Sequence, residues 1–142
     1  MYLWDSNILR HHGEEHPTLF LYVQRVPWSE IALPSVVVAE VLRGRCEFAL
    51  KAPPEKAALA HTLLVETQKY LTQFNQVLFD EKCAKALEEL QRQHKAHKKY
   101  ADLMIAAMAK AGKHVVVTRN LKDFENLLPT NQLANWIDIE PA

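Results

Sequence analysis

The sequence predicts a three-layer α/β domain on a mainly parallel sheet, and three observations carry that prediction. Short apolar runs (Tyr2-Leu3-Trp4, Ile31-Ala32-Leu33, Val77-Leu78-Phe79, Val115-Val116-Val117) alternate with longer stretches of helical period, the pattern of successive βα units. With 142 residues, 49% of them apolar, the chain is long enough to bury one core. Only 3 glycines are present, which argues against disordered or low-complexity architecture, so residues 1–142 are expected to form a single domain.

Residues 1–9 are expected to form the first strand, with Ile8 and Leu9 continuing its apolar pattern. Residues 14–29 are weakly periodic and read as helix. Ile31-Ala32-Leu33 is a short strand ended by Pro34, and Ser35 reads as the N-cap of the next segment. Residues 36–43 are ambiguous: Val36-Val37-Val38 favours strand, whereas Ala39 to Arg43 favours helix. The helical assignment is taken. After Pro53-Pro54 a long helix is expected to about Phe74, with Ala60, Leu63, Leu64, Thr67, Leu71 and Phe74 on one stripe. Val77-Leu78-Phe79 is the next strand. Asp80 caps a helix on which Cys83, Leu87, Leu90, His94 and His97 share a face. Asp102 opens an alanine-rich helix ended by Gly112. His114 to Thr118 is a buried strand, 122–128 a short helix, and Trp136 to Ile139 the last strand.

Seventeen basic and seventeen acidic residues give a formal charge of zero, which argues against a non-specific polyanion binder. The distribution is uneven. Residues 51–100 carry 9 basic and 6 acidic side chains, an excess of three concentrated between Arg92 and Lys99. Neutralising a few carboxylates with cations would leave a net basic surface. No apolar run approaches the roughly 18 residues a membrane span needs. Asp5 interrupts the N-terminal apolar run, which has no basic residue before it, so a signal peptide is not expected and a cytoplasmic setting is. Cys46 and Cys83 have no CxxC partner and are expected as reduced thiols.

Four carboxylates stand among apolar residues: Asp5 after the first run, Glu40 within Val36–Leu42, Asp102 before Leu103–Ala109, and Asp123 behind Val115-Val116-Val117. At the carboxyl edge of a parallel sheet such residues can converge on one cleft. Two like charges about 4 Å apart repel by about 4 kcal/mol at an effective dielectric near 20. Either some of the four protonate or a cation sits between them. All-oxygen ligation suits Mg²⁺ or Mn²⁺ rather than Zn²⁺. Taken singly, each acid also has a plain reading as a cap, a turn residue or a surface charge.

As a set, four segments resemble the acidic motifs of PIN-domain ribonucleases, and most nearly those of the VapC toxins of bacterial toxin–antitoxin pairs. They are Asp5-Ser6-Asn7, Ala39-Glu40-Val41-Leu42-Arg43-Gly44, Ala101-Asp102-Leu103-Met104-Ile105-Ala106-Ala107 and Thr118-Arg119-Asn120-Leu121-Lys122-Asp123-Phe124. The resemblance implies an α/β/α PIN-like fold and Mg²⁺- or Mn²⁺-dependent hydrolysis of RNA phosphodiester bonds, with tRNA among the candidate substrates. It also implies a homodimer and a cognate VapB-like antitoxin that covers the groove. Carried over by motif, Asp5, Glu40 and Asp102 are the core metal ligands and catalytic acids, and Asp123 a fourth, water-mediated one. Asn7, Thr118 and Asn120 support Asp5 and the substrate phosphate. Arg43, Lys98 and Lys99 are candidate phosphate contacts. Many relatives carry glycine and arginine in the loop before the third acid, where this chain has His94-Lys95-Ala96-His97-Lys98-Lys99-Tyr100.

Two rival readings share this sheet. One is a PIN-like domain that is catalytically silent and serves as a protein-interaction module. The other is a phosphotransfer or phosphatase-type acidic site, which needs a lysine after a later strand; Lys113 precedes its strand and Lys122 is misplaced. His11, His12 and His16, with Glu14 and Glu15, fit no ordinary zinc spacing and are expected on a solvated helix start or loop. His94 and His97 are expected near the basic loop, partly buried or facing RNA. Trp4, Trp28 and Trp136 are expected in the core or at a dimer contact.

Overall fold

The computed structural model describes Met1–Ala142 in full. Five short strands, β1 (Tyr2–Trp4), β2 (Ile31–Pro34), β3 (Asn75–Val77), β4 (Val115–Val117) and β5 (Leu133–Ala134), form one sheet in the order β3-β2-β1-β4-β5. Every pairing is parallel. The helices are α1 (Ser6–Gly13), α2 (Pro17–Arg25), α3 (Ser35–Lys51), α4 (Pro54–Leu71), α5 (Glu81–Gln93) and α6 (Tyr100–Gly112). Leu3, Ile31, Leu33, Val116 and Val117 are all fully buried, as expected of central parallel strands covered on both faces. Ile105, Ala106, Ala107, Met108 and Ala109 of α6 join the same core. No helix is long and apolar enough to cross a membrane.

The first strand is shorter than expected. It stops at Trp4, because the Asp5 carboxylate accepts a hydrogen bond from Ser6 N and starts α1 there. Ile8 and Leu9 are buried as helix residues instead. The expected 14–29 helix is α2 followed by a 3-10 turn at Trp28–Glu30. The helical assignment of residues 36–43 holds, and α3 runs on to Lys51. Ser35 is its first residue rather than its cap, and Pro34 occupies the cap position.

Other boundaries move as well. The third strand lies two residues early, at the sheet edge, where Asn75 and Gln76 face solvent. Asp80 does cap α5, accepting from Cys83 N at 3.0 Å, but His94 and His97 lie beyond that helix's last residue. The expected 122–128 helix is a 3-10 turn at Leu121–Asp123. The last strand is Leu133–Ala134. Trp136 and Ile137 are buried after it, in a turn made by Asn135 Oδ1 accepting from Ile137 N and Asp138 N. Cys46 and Cys83 are both free thiols.

Gly112 ends α6 as expected, yet the left-handed position falls on Lys113, at φ 55° and ψ 45°. A side chain there costs about 1–2 kcal/mol that glycine avoids. Lys113→Gly is therefore expected to stabilise the fold by up to about 1 kcal/mol after glycine's extra unfolded-state entropy is counted. Urea denaturation reads this as a higher midpoint at unchanged slope.

Candidate active site

Strands β1 and β4 are in register, with Trp4 opposite Val117, so the chain leaves both at the same carboxyl edge. Asp5 N donates to Val117 O at 3.0 Å, extending the ladder by one step. Asp5 and the fully buried Thr118 thereby meet. Thr118 Oγ1 donates to Asp5 Oδ2 at 2.9 Å and accepts from Asn120 N at 3.0 Å. Asn7 Nδ2 donates to Asp5 Oδ2 at 3.3 Å, and Asn7 Oδ1 accepts from Arg119 N at 3.1 Å. Ser6 N gives Asp5 a further donor at 2.8 Å. Burial nonetheless pushes the Asp5 carboxyl above its ordinary pKa, the hydrogen bonds only partly offsetting it, and Asp123 adds to the rise.

Replacing Thr118 with valine keeps the shape and removes the hydroxyl. Asp5 loses a buried donor and Asn120 N its acceptor. Thr118→Val is expected to cost about 1.5–3 kcal/mol, the value of hydrogen bonds to a charged group. Chemical denaturation of the metal-free protein measures it.

The other three acids arrive from separate elements. Glu40 projects from α3, Asp102 from the first turn of α6, and Asp123 from the 3-10 turn after β4. All four line one cavity of about 370 Å³ with no hydrophobic wall residue, beside Ser6, Asn7, Arg10, Lys99 and Asn120. Their fields overlap. Glu40 is raised by burial, then by Asp5, with Asp102 adding less. Asp102 is pushed up to about 6 by burial, then by Asp123 and Asp5. Lys99 Nζ meets Asp123 Oδ2 at 3.0 Å, and that bond raises the lysine above its ordinary pKa.

No three histidine, cysteine or acidic side chains stand close enough together to grip one ion as they are arranged. Two observations still fit Mg²⁺ or Mn²⁺. The donors are all carboxylates, and the charges of Asp5, Asp102 and Asp123 oppose ionisation of their neighbours, a repulsion that a cation between them relieves.

Of the residues singled out by sequence, Asp5, Glu40, Asp102, Asp123, Asn7, Asn120 and Lys99 line the cleft, and Thr118 lies directly behind it. Arg43 does not. It lines a larger adjoining groove of about 940 Å³, with Arg10, Arg45 and residues of α1 and α4. Lys98 is exposed and lines neither. Arg10 escaped the sequence reading because residues 1–9 were expected to be strand. Once α1 begins at Ser6, Arg10 falls one turn beyond Asn7, on the cleft side.

The expectation that His11, His12 and His16 are solvated needs correction. His11 is buried, with neither ring nitrogen bonded. His12 bonds Tyr70 Oη at 2.6 Å and stacks on Phe20. His11 and His12 therefore help to build the interior, while Gly13, Glu14 and Glu15 are exposed as expected. Trp4 and Trp136 are in the core, while Trp28 is partly exposed.

Residues 2–127 match the family model described as PIN domain. No curated protein matches the chain in sequence. Among solved structures, FitAB bound to a DNA fragment is 23% identical over 99% of both chains, with a TM-score of 0.73. VapBC2 from Rickettsia felis, bound to a promoter DNA fragment, is 25% identical over 95% of this chain and 98% of that one, with a TM-score of 0.70. A toxin–antitoxin complex from Klebsiella pneumoniae is 22% identical over 98% and 100%, with a TM-score of 0.69.

Proposed function

The chain belongs to the PIN-domain family, and from that premise we propose that it is a metal-dependent endoribonuclease acting as the toxin of a toxin–antitoxin pair. One observation carries the reading: four carboxylates from four separate elements share a single polar cleft, where they raise one another's pKa.

Asp5, Glu40, Asp102 and Asp123 are the residues that would hold Mg²⁺ or Mn²⁺. Such ions supply an activated water for in-line attack on a phosphodiester and stabilise charge on the departing oxygen. The chain's own residues do the rest. Thr118, Asn7 and Ser6 N hold the Asp5 carboxylate in one orientation. Arg10 and Lys99 bring positive charge to the cleft rim, where a phosphate's remaining oxygens need it. The Asn120 side chain adds a neutral donor at the same wall. RNA is the proposed substrate, with tRNA the first to try. A VapB-like antitoxin and a second copy of the chain are the proposed partners. Support for the antitoxin is that neighbours of the same fold are toxin–antitoxin complexes. The groove beside the cleft, with Leu9, Val41, Leu63 and Leu71 among its walls, gives an apolar segment somewhere to lie.

Incubation of the purified protein with total RNA and Mn²⁺, with and without chelator, tests the proposal. Cleavage is expected only with the ion, and cleavage that survives chelator or Asp5→Asn would overturn it.

Ion binding should also depend on pH. An acid whose pKa rises on folding favours the fold below its unfolded value, and that contribution disappears as pH climbs through the folded value. For Asp102 the window runs from the ordinary 3.8 to about 6. The ion needs the deprotonated form, so Mn²⁺ affinity is expected to be nearly flat above pH 7. Below pH 6 it should fall about tenfold per unit from this group alone. Calorimetric titration across pH 5–8 reads the slope.

A further inference from the structure

The basic loop between α5 and α6 carries His97, expected to be either partly buried or facing RNA, and the structure turns it inward. His97 Nε2 lies 3.7 Å from Asp102 Oδ2, and both side chains are largely buried. Neither atom has a hydrogen-bond partner. Asp102 supplies the only carboxylate oxygen among the molecule's unpartnered buried side-chain atoms, and an imidazole nitrogen faces it. A backbone bond from His97 N to His94 O at 3.0 Å holds the turn. Lys99, two residues on, donates to Asp123. The loop thus addresses two of the four acids at once.

We propose that His97 is a positioning residue for Asp102, its imidazole donating Nε2–H to Oδ2 when a divalent ion occupies the cleft. The proposal rests on the metal-dependent nuclease reading and extends it to a residue outside the acidic motifs. A carboxylate engaged with a cation through one oxygen needs a donor for the other, or a buried lone pair goes unmet. At 3.7 Å the contact falls short of a hydrogen bond, and a shift of about 0.5–1 Å makes one. Contacts of this kind are often long before the ligand arrives and tighten with it. With the bond made, the carboxylate can no longer rotate, and the ion meets a preorganised oxygen.

The test measures Mn²⁺ affinity of the full chain by calorimetry. His97→Phe keeps a ring without a donor, and His97→Gln places an amide N–H near the position of Nε2. His97→Phe is expected to weaken Mn²⁺ about 10- to 100-fold, while His97→Gln stays within about threefold of the parent. His97→Leu serves as the donorless variant should the phenylalanine not fold. Unchanged affinity in the donorless variant overturns the proposal. So does an equal loss in the donorless and glutamine variants, which marks packing alone. Nitrogen hyperfine coupling from His97 in the electron paramagnetic resonance of bound Mn²⁺ overturns it too, by making the residue a ligand. A parent protein that binds no Mn²⁺ sinks the nuclease reading and this role together. A parent that binds and cleaves, beside an unaffected donorless variant, sinks the positioning role only.

Discussion

Asp102→Asn is expected to abolish Mn²⁺-dependent RNA cleavage while leaving the metal-free protein slightly more stable. The activity loss should reach at least about 10²–10³-fold, the scale on which one member of a preorganised electrostatic site is felt. The stability gain has the same origin. Asp102 is raised by burial and by the neighbouring Asp123 and Asp5, so its charge opposes folding at neutral pH when no ion is present. Asparagine keeps the shape and drops the charge. The side chain is partly open to solvent, and screening limits the gain to about 1–3 °C in melting temperature. Gel assays on total RNA and thermal unfolding in chelator check both halves. A variant that loses activity because it is less stable would contradict the account.

Phe124→Ala is expected to show a large stability loss next to the site. Phe124 is fully buried and closes the turn that carries Asp123. Its N–H donates to Leu121 O at 3.0 Å, and its carbonyl accepts from Leu127 N and Leu128 N. Truncating a buried phenylalanine costs about 3–5 kcal/mol. Against a total of about 5–15 kcal/mol, this should lower the melting temperature by about 10 °C or more. Circular dichroism follows it. Asp123 would lose its mooring in the same step, so ion affinity should also fall at temperatures where the variant is still folded.

The clearest parts of the fold in the sequence were those where one physical signal dominated. Val115-Val116-Val117 could only be a buried strand, and the polar heptamer from Thr118 to Phe124 had to follow at a sheet edge. Asp80 announced its helix because a carboxylate before a charged, periodic stretch has few other uses. Signals that served two structures equally were misread. Leu3, Trp4, Ile8 and Leu9 satisfy a strand with an interruption as readily as a strand followed by a helix, and only the cap made by Asp5 separates the two. That ambiguity hid Arg10. Strand β5 is two residues long and left no run to detect. Its apolar neighbours Trp136 and Ile137 drew the assignment instead, although Asn135 had the chemistry of a turn. For the candidate site, the acids and their helper Thr118 were legible as motif. For His97 the sequence left burial and an RNA-facing position open, and its aim at Asp102 was not legible because a loop side chain's direction depends on what surrounds it.

The hydrogen bond from Thr118 to Asp5 joins residues 113 positions apart. Strand β4, which delivers Thr118, lies between β1 and β5, so until β4 is made Asp5 has only the local donors Ser6 N and Asn7 Nδ2. A ribosome producing this protein therefore carries an unfinished chain that holds three of the four acids and cannot assemble their cleft. The cleft is complete only once β4 has paired with β1.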